Sequence, residues 1–123
     1  MIEARSKLVL VLEDEPIVAM LIEDMLNELG WRQVTLVDDI KEALDVARAS
    51  EIAFAILDIN IDGIRSTVVS DDLRHRGIPF IVATGYGPGA IDDFGRDVPA
   101  LQKPFIVQEL QAAITRIMPS ADV

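Results

Sequence analysis

Four places in the chain set a reactive side chain directly after an apolar run. Glu13-Asp14-Glu15 follows the run ending at Leu12, Asp58 follows Ile52–Leu57, Thr84 follows Pro79–Ala83 and Lys103 follows Ala100–Gln102. The inventory is carboxylates, a hydroxyl and an ammonium. Carboxylates attract a hard divalent cation such as Mg²⁺, which takes oxygen ligands from one or two acids and completes its shell with water and phosphoryl oxygens. An Asp carboxylate can also attack phosphorus and form an aspartyl phosphate. A phosphoryl group in transfer spreads negative charge over its oxygens, so its catalysis is in-line positioning and charge stabilisation. A cation, Lys103 and Thr84 provide one partner for each oxygen. The first of the four turns carries acids and no glycine. It therefore lacks the glycine-rich loop whose backbone N–H groups cradle a nucleotide or flavin phosphate.

Elements of a particular kind must bring these residues together. Lys7–Leu12 and Ile52–Asp58 are continuous apolar runs, the pattern of strands buried on both faces. Gln33–Val37, Pro79–Ala83 and Ala100–Gln102 read as further strands. Helices alternate with them. Asp14 can cap a first helix with Pro16 in its first turn, and Ile17, Leu21, Met25 and Leu29 form its inward stripe up to Gly30. Asp38 or Asp39 starts a second, with Ile40, Leu44 and Ala47 inward. Ser66–Arg76 forms a third after a turn at Gly63, and Ile106–Met118 a last one with Leu110, Ile114 and Ile117 or Met118 inward. Residues 85–95 hold four of the seven glycines. Interior glycine costs a helix about 1 kcal/mol each, so a regular helix is not expected there. Strands alternating with helices predict an α/β fold, a doubly wound parallel sheet with helices on both faces, and ligands bind beyond the C-terminal strand ends in such sheets.

Composition narrows the chemistry. The 123 residues carry a formal net charge of −10 and no cysteine. The length fits one domain. The acidic balance argues against a nucleic-acid backbone or an anionic membrane surface as partner. Without cysteine there is no disulfide framework, thiolate metal site or cysteine nucleophile. The longest apolar runs, Ile17–Ile22 and Ile52–Leu57, have six residues each, against about 20 for a membrane span. The first residues lack the apolar core of a signal peptide. A cytoplasmic location is the expectation.

The segments Leu12-Glu13-Asp14-Glu15, Leu57-Asp58-Ile59-Asn60, Ala83-Thr84-Gly85 and Gln102-Lys103-Pro104-Phe105 occur in an order and spacing that resembles the receiver domain of two-component response regulators. The resemblance covers residues 7–118, flanked by short tails at 1–6 and 119–123 expected to be flexible. It implies a flavodoxin-like, CheY-like sheet of five strands in the order 2-1-3-4-5. It implies Asp58 as phosphoacceptor, Glu13, Asp14, Asp58 and the backbone carbonyl of Asn60 as ligands of Mg²⁺ or Mn²⁺, and Thr84 as the switch hydroxyl. Lys103 pairs with the phosphate, and the Lys103–Pro104 bond is cis. The implied partners are a sensor histidine kinase or a histidine phosphotransfer protein, and a downstream protein target. The expected product is a stand-alone phosphoacceptor that catalyses only its own phosphoryl transfer and dephosphorylation.

Two departures stand out. Receivers often carry an aromatic residue three positions before the lysine, and here that residue is Ala100. The only tyrosine, Tyr86, instead follows Thr84 by two positions, in a stretch Pro79–Gly87 similar to a subgroup of stand-alone receivers associated with alphaproteobacterial sensor kinases. Tyr86 is a candidate gate over the site, with plain packing as the alternative. The first acid is Glu13 where Asp is commoner, and its longer arm favours a water-mediated metal contact.

Other readings compete. A Mg²⁺-dependent phosphohydrolase with an aspartyl intermediate would need an acid two residues after Asp58, and Asn60 stands there. A degenerate receiver that is never phosphorylated would not need Asp58, Thr84 and Lys103 together. Glu15 is read as capping or solvated, His75 as a surface residue and Trp31 as partial core or helix-end packing. Val18, Met20 and Ile22 extend the apolar surface of the first helix beyond one stripe, which suggests a homodimer or partner face.

Overall fold

The computed structural model describes residues 7–85, 93–95 and 97–118. Tyr86 and both tails lie outside the described residues. The elements run β1 (Leu8–Leu12), α1 (Pro16–Glu28), β2 (Val34–Val37), α2 (Ile40–Ala49) and β3 (Ile52–Asp58). Then follow β4 (Asn60–Ile61), β5 (Ile64–Arg65), α3 (Thr67–His75), β6 (Phe80–Thr84), β7 (Ala100–Gln102) and α4 (Val107–Ile117). Five strands form one parallel sheet in the order β2-β1-β3-β6-β7, the order expected, with β4 and β5 set apart as a small antiparallel hairpin.

Strand alternation decides which helix covers which face. Val9, Val11, Phe54 and Ile56 point to one side and pack with Ile22 and Leu26 of α1 and Leu110 and Ile114 of α4. Leu10, Leu12, Ala55 and Leu57 point to the other and meet Ala43 and Ala47 of α2 and Val69 and Leu73 of α3. All seven residues of β3, including Asp58, are buried, as its unbroken apolar run requires. Trp31 belongs to the core outright. It is 1% exposed and meets Phe54 edge to face at 4.9 Å between ring centroids, so the expected partial burial understates it.

Three local expectations need correction. The buried stripe of α1 is Ala19, Ile22 and Leu26, whereas Ile17 and Leu21 are 74% and 53% exposed. The six-residue apolar run defines no single face, and the inward stripe lies about 100° round the helix from the one expected. Asp14 does not cap α1. Glu15 occupies the N-cap position without a side-chain bond, and Pro16, which has no N–H to satisfy, opens the helix. The hairpin Asn60–Arg65 was not expected beyond a turn at Gly63. Its loop residues Asp62 and Gly63 have φ of 52° and 80°, as in the Asp-Gly two-residue loops that match strand twist. In α2 the cap is Asp39, whose carboxylate accepts from the Glu42 N–H at 2.7 Å.

Candidate functional site

The C-terminal ends of β1, β3, β6 and β7 meet at one edge of the sheet. Glu13 continues β1, its N–H bonding to the Val37 carbonyl at 3.0 Å. Asp58 ends β3 and Thr84 ends β6, both buried. Lys103 follows β7, its N–H bonding to the Thr84 carbonyl at 2.8 Å. The Lys103–Pro104 peptide is cis.

The side chains converge. Carboxylate oxygens of Glu13, Asp14 and Asp58 lie within 4.8 Å of one another. The Lys103 ammonium donates to Glu13 Oε1 at 2.9 Å and to Asp58 Oδ2 at 3.1 Å. The Glu13 side chain is 1% exposed and that of Asp58 9%. Three acids facing one ammonium leave a local excess of negative charge. That donor set, all oxygen and open on one side through the half-buried Asp14, suits a hard divalent cation. The charges also perturb one another. Burial pushes the Glu13 carboxyl above its usual range, the Lys103 hydrogen bond opposes this, and the nearby Asp58 charge adds to the rise. Burial alone would lower Lys103, but its bond to Glu13 and the charges of Asp58 and Glu13 together hold the ammonium above the ordinary lysine value.

Further polar bonds fix the carboxylates. Glu13 Oε2 accepts from the Glu15 N–H at 3.1 Å, and Asp14 Oδ2 from the Asp62 N–H at 3.0 Å. The Asn60 N–H faces Asp58 Oδ1 at 3.4 Å, and the Ser66 hydroxyl donates to the Asp58 carbonyl at 2.5 Å. Asp62 and Ser66 were not singled out from the sequence. The Asp-Gly pair is a hairpin signal that could have placed Asp62, but nothing in the sequence pairs it with Asp14. His75 lies exposed at the end of α3, remote in the fold from this edge, as read. A cavity of about 440 Å³ opens beside the acids, lined by Asp58 and Lys103 together with Val18, Leu21, Met25 and Phe105.

With the sheet order and this constellation in hand, comparison with known proteins gives the class. A family model for the response regulator receiver domain matches residues 9–115, and the chain belongs to that family. The fold is similar to the solution structure of SdrG from Sphingomonas melonis Fr1, with 39% identity, a TM-score of 0.82, and coverage of 91% of this chain and 96% of that one. It is also similar to the receiver domain of the sensor histidine kinase PA1611 from Pseudomonas aeruginosa PAO1, with 27% identity, a TM-score of 0.80, and coverage of 92% and 98%. That structure holds a magnesium ion coordinated in the active site cleft. The transcriptional regulatory protein PdtaR of Mycobacterium tuberculosis is 31% identical over 112 residues, 86% of this chain and 54% of that protein. The chain spans about half the length of the first curated relatives it matches. No helix among the described residues is long and apolar enough to cross a membrane.

Proposed function

We propose that the chain is a phosphoacceptor that takes a phosphoryl group on Asp58 from a phosphohistidine of a sensor histidine kinase or a histidine phosphotransfer protein. The observation that carries this reading is the Lys103 ammonium on Asp58 Oδ2, with two further carboxylates within 4.8 Å. A buried Asp so bonded is held in place by the ammonium. One Asp58 oxygen attacks phosphorus, the phosphorus–nitrogen bond breaks, and the imidazole nitrogen leaves with the electron pair. Lys103 then pairs with a phosphoryl oxygen, and the Thr84 hydroxyl is the donor for another. Mg²⁺ or Mn²⁺ held by Glu13, Asp14, Asp58 and the Asn60 carbonyl would supply the positive charge that offsets the incoming phosphoryl oxygens. The magnesium ion in the PA1611 receiver supports that assignment.

The donor histidine belongs on a helical surface, and α1 offers it a landing. Ile17, Met20 and Leu21 are 74%, 59% and 53% exposed, and Leu21 also walls the cavity beside Asp58. The chain acts on no other substrate in this reading. Its output is a contact with a downstream protein, or a drain on phosphoryl flux. Incubation with a small phosphodonor and Mg²⁺, followed by intact mass, tests it. A single phosphoryl adduct, absent in Asp58→Asn and without Mg²⁺, is expected. An unmodified wild-type chain overturns the reading, and multiple turnover of a phosphate ester dependent on Asp58 would replace it with a phosphohydrolase.

A further inference from the structure

Ala100 removes the aromatic side chain through which receivers often pass the state of the site outward, and it stands exposed at the start of β7. Another route is built into the fold. The hairpin Asn60–Arg65 and the residue after it touch the site at three places. The Asn60 N–H faces Asp58 Oδ1, the Asp62 N–H is bound by Asp14 Oδ2, and the Ser66 hydroxyl is bound by the Asp58 carbonyl. The hairpin's last residue, Arg65, meets the Asp93–Gly95 segment. Arg65 Nε lies 3.1 Å from Asp93 Oδ2, and its guanidinium sits 5.4 Å from the centroid of the Phe94 ring. Phe94 is 1% exposed and packs in the same core cluster as Ile59, which precedes the hairpin's first strand, and Ile61, which ends it. Its carbonyl accepts from the Arg74 guanidinium, so α3 holds it from the other side.

We propose that this hairpin is the coupling element between the carboxylate site and the Asp93–Gly95 segment, with Arg65 as its positioning residue. The inference rests on the phosphoacceptor reading. A phosphoryl group on Asp58 adds about one negative charge within a few ångströms of Asp14 and alters what the Asn60 and Asp62 N–H groups face. A two-residue loop with both φ values positive has little freedom to absorb a shift locally. A displacement of the loop therefore carries into the paired strand, where Asn60 stands opposite Arg65. The short register leaves no slack between Asp62 and Arg65.

The test is hydrogen exchange of the Phe94 and Gly95 amides, read on the full chain before and after phosphorylation by a small phosphodonor with Mg²⁺. In wild type, phosphorylation is expected to change their exchange by about fivefold or more, the lower end of ordinary coupling between sites. In Arg65→Gln the adduct should still form on Asp58 while the change at Phe94 falls below about twofold, with Arg65→Lys intermediate. Asp93→Asn alters an exposed side chain and keeps the test readable should Arg65→Gln lose stability. It should give the same loss. An adduct on Arg65→Gln and Asp93→Asn with a wild-type response at Phe94 overturns the coupling alone. No adduct on wild type overturns the phosphoacceptor reading, and the coupling with it.

Discussion

Replacing Lys103 by methionine keeps most of the apolar stem and removes the ammonium that bridges Glu13 and Asp58. Both acids stay where they are, because β1 and β3 are central strands of the sheet. Two carboxylates whose side chains are 1% and 9% exposed then face each other and Asp14 without a counter-charge. Breaking a buried pair from one side costs about 3–5 kcal/mol. Glu13 can relieve part of this by taking a proton, so a loss of about 2–3 kcal/mol at neutral pH is the working figure. For a domain of this size that is a fall in Tm of roughly 10 °C. Urea unfolding in the presence of a chelator measures it.

The uncompensated charge has two further consequences. Mg²⁺ should recover more stability in Lys103→Met than in wild type, because the cation meets the charge the lysine no longer offsets and stabilises the fold in proportion to its tighter binding. The deficit should also shrink toward acid. A carboxyl whose folded pKa lies above the unfolded value holds its proton more tightly in the fold. Its contribution is complete below the ordinary 4.5 and is lost as pH rises through the folded value. Without Lys103 the Glu13 value rises further, so the variant loses stability over a wider pH span above 4.5. A Lys103→Met protein within about 0.5 kcal/mol of wild type in chelator, the range of an ordinary surface change, would refute the counter-charge role.

Two other substitutions probe the scaffold behind the site. Trp31→Ala should cost about 3–5 kcal/mol in urea unfolding, since the ring is buried against Phe54; a loss below about 1 kcal/mol would place Trp31 at the surface instead. Ser66→Ala removes the hydroxyl on the Asp58 carbonyl and should cost about 1–2 kcal/mol, with the Asp58 adduct still detected by intact mass.

The sheet was legible because its strands are apolar runs with few alternative uses. Ile52–Asp58 has no polar residue until its last position, and only a strand covered on both faces accommodates that. The same excess of apolar residues hid the orientation of α1. Six consecutive apolar side chains fit any face, and packing against Val9, Val11, Phe54 and Ile56 of the sheet, not periodicity, selects Ile22 and Leu26. In the site, the identity of the reactive residues was legible from their places at the strand ends. Their bonds were not. Asp14 reads as a helix cap by its position before Pro16, yet its carboxylate is taken by the N–H of Asp62, 48 residues away in sequence. Such a contact depends on a hairpin whose own existence rests on two residues at positive φ.

The Glu13–Lys103 pair shows why an unusual residue at the first acid position is a geometric matter. In the order β2-β1-β3-β6-β7, the lysine follows β7 while Asp58 ends a strand two places away and Glu13 follows one three places away. With neighbouring strands about 4.8 Å apart, those spans are roughly 10 Å and 14 Å at the backbone. One lysine side chain cannot bridge the longer span alone, so the acid on β1 has to reach toward it. Glutamate extends one methylene, about 1.5 Å, beyond aspartate, and Glu13 Oε1 meets the ammonium at 2.9 Å. Its other oxygen is anchored on the Glu15 N–H. Both oxygens of Glu13 are thus engaged by the protein itself, while Asp14 is half-buried and holds a backbone N–H through one oxygen. This division gives the two adjacent acids different work. Glu13 fixes Lys103 over Asp58 and, in the proposed metal site, would meet the cation through water, whereas Asp14 would offer it a carboxylate oxygen directly.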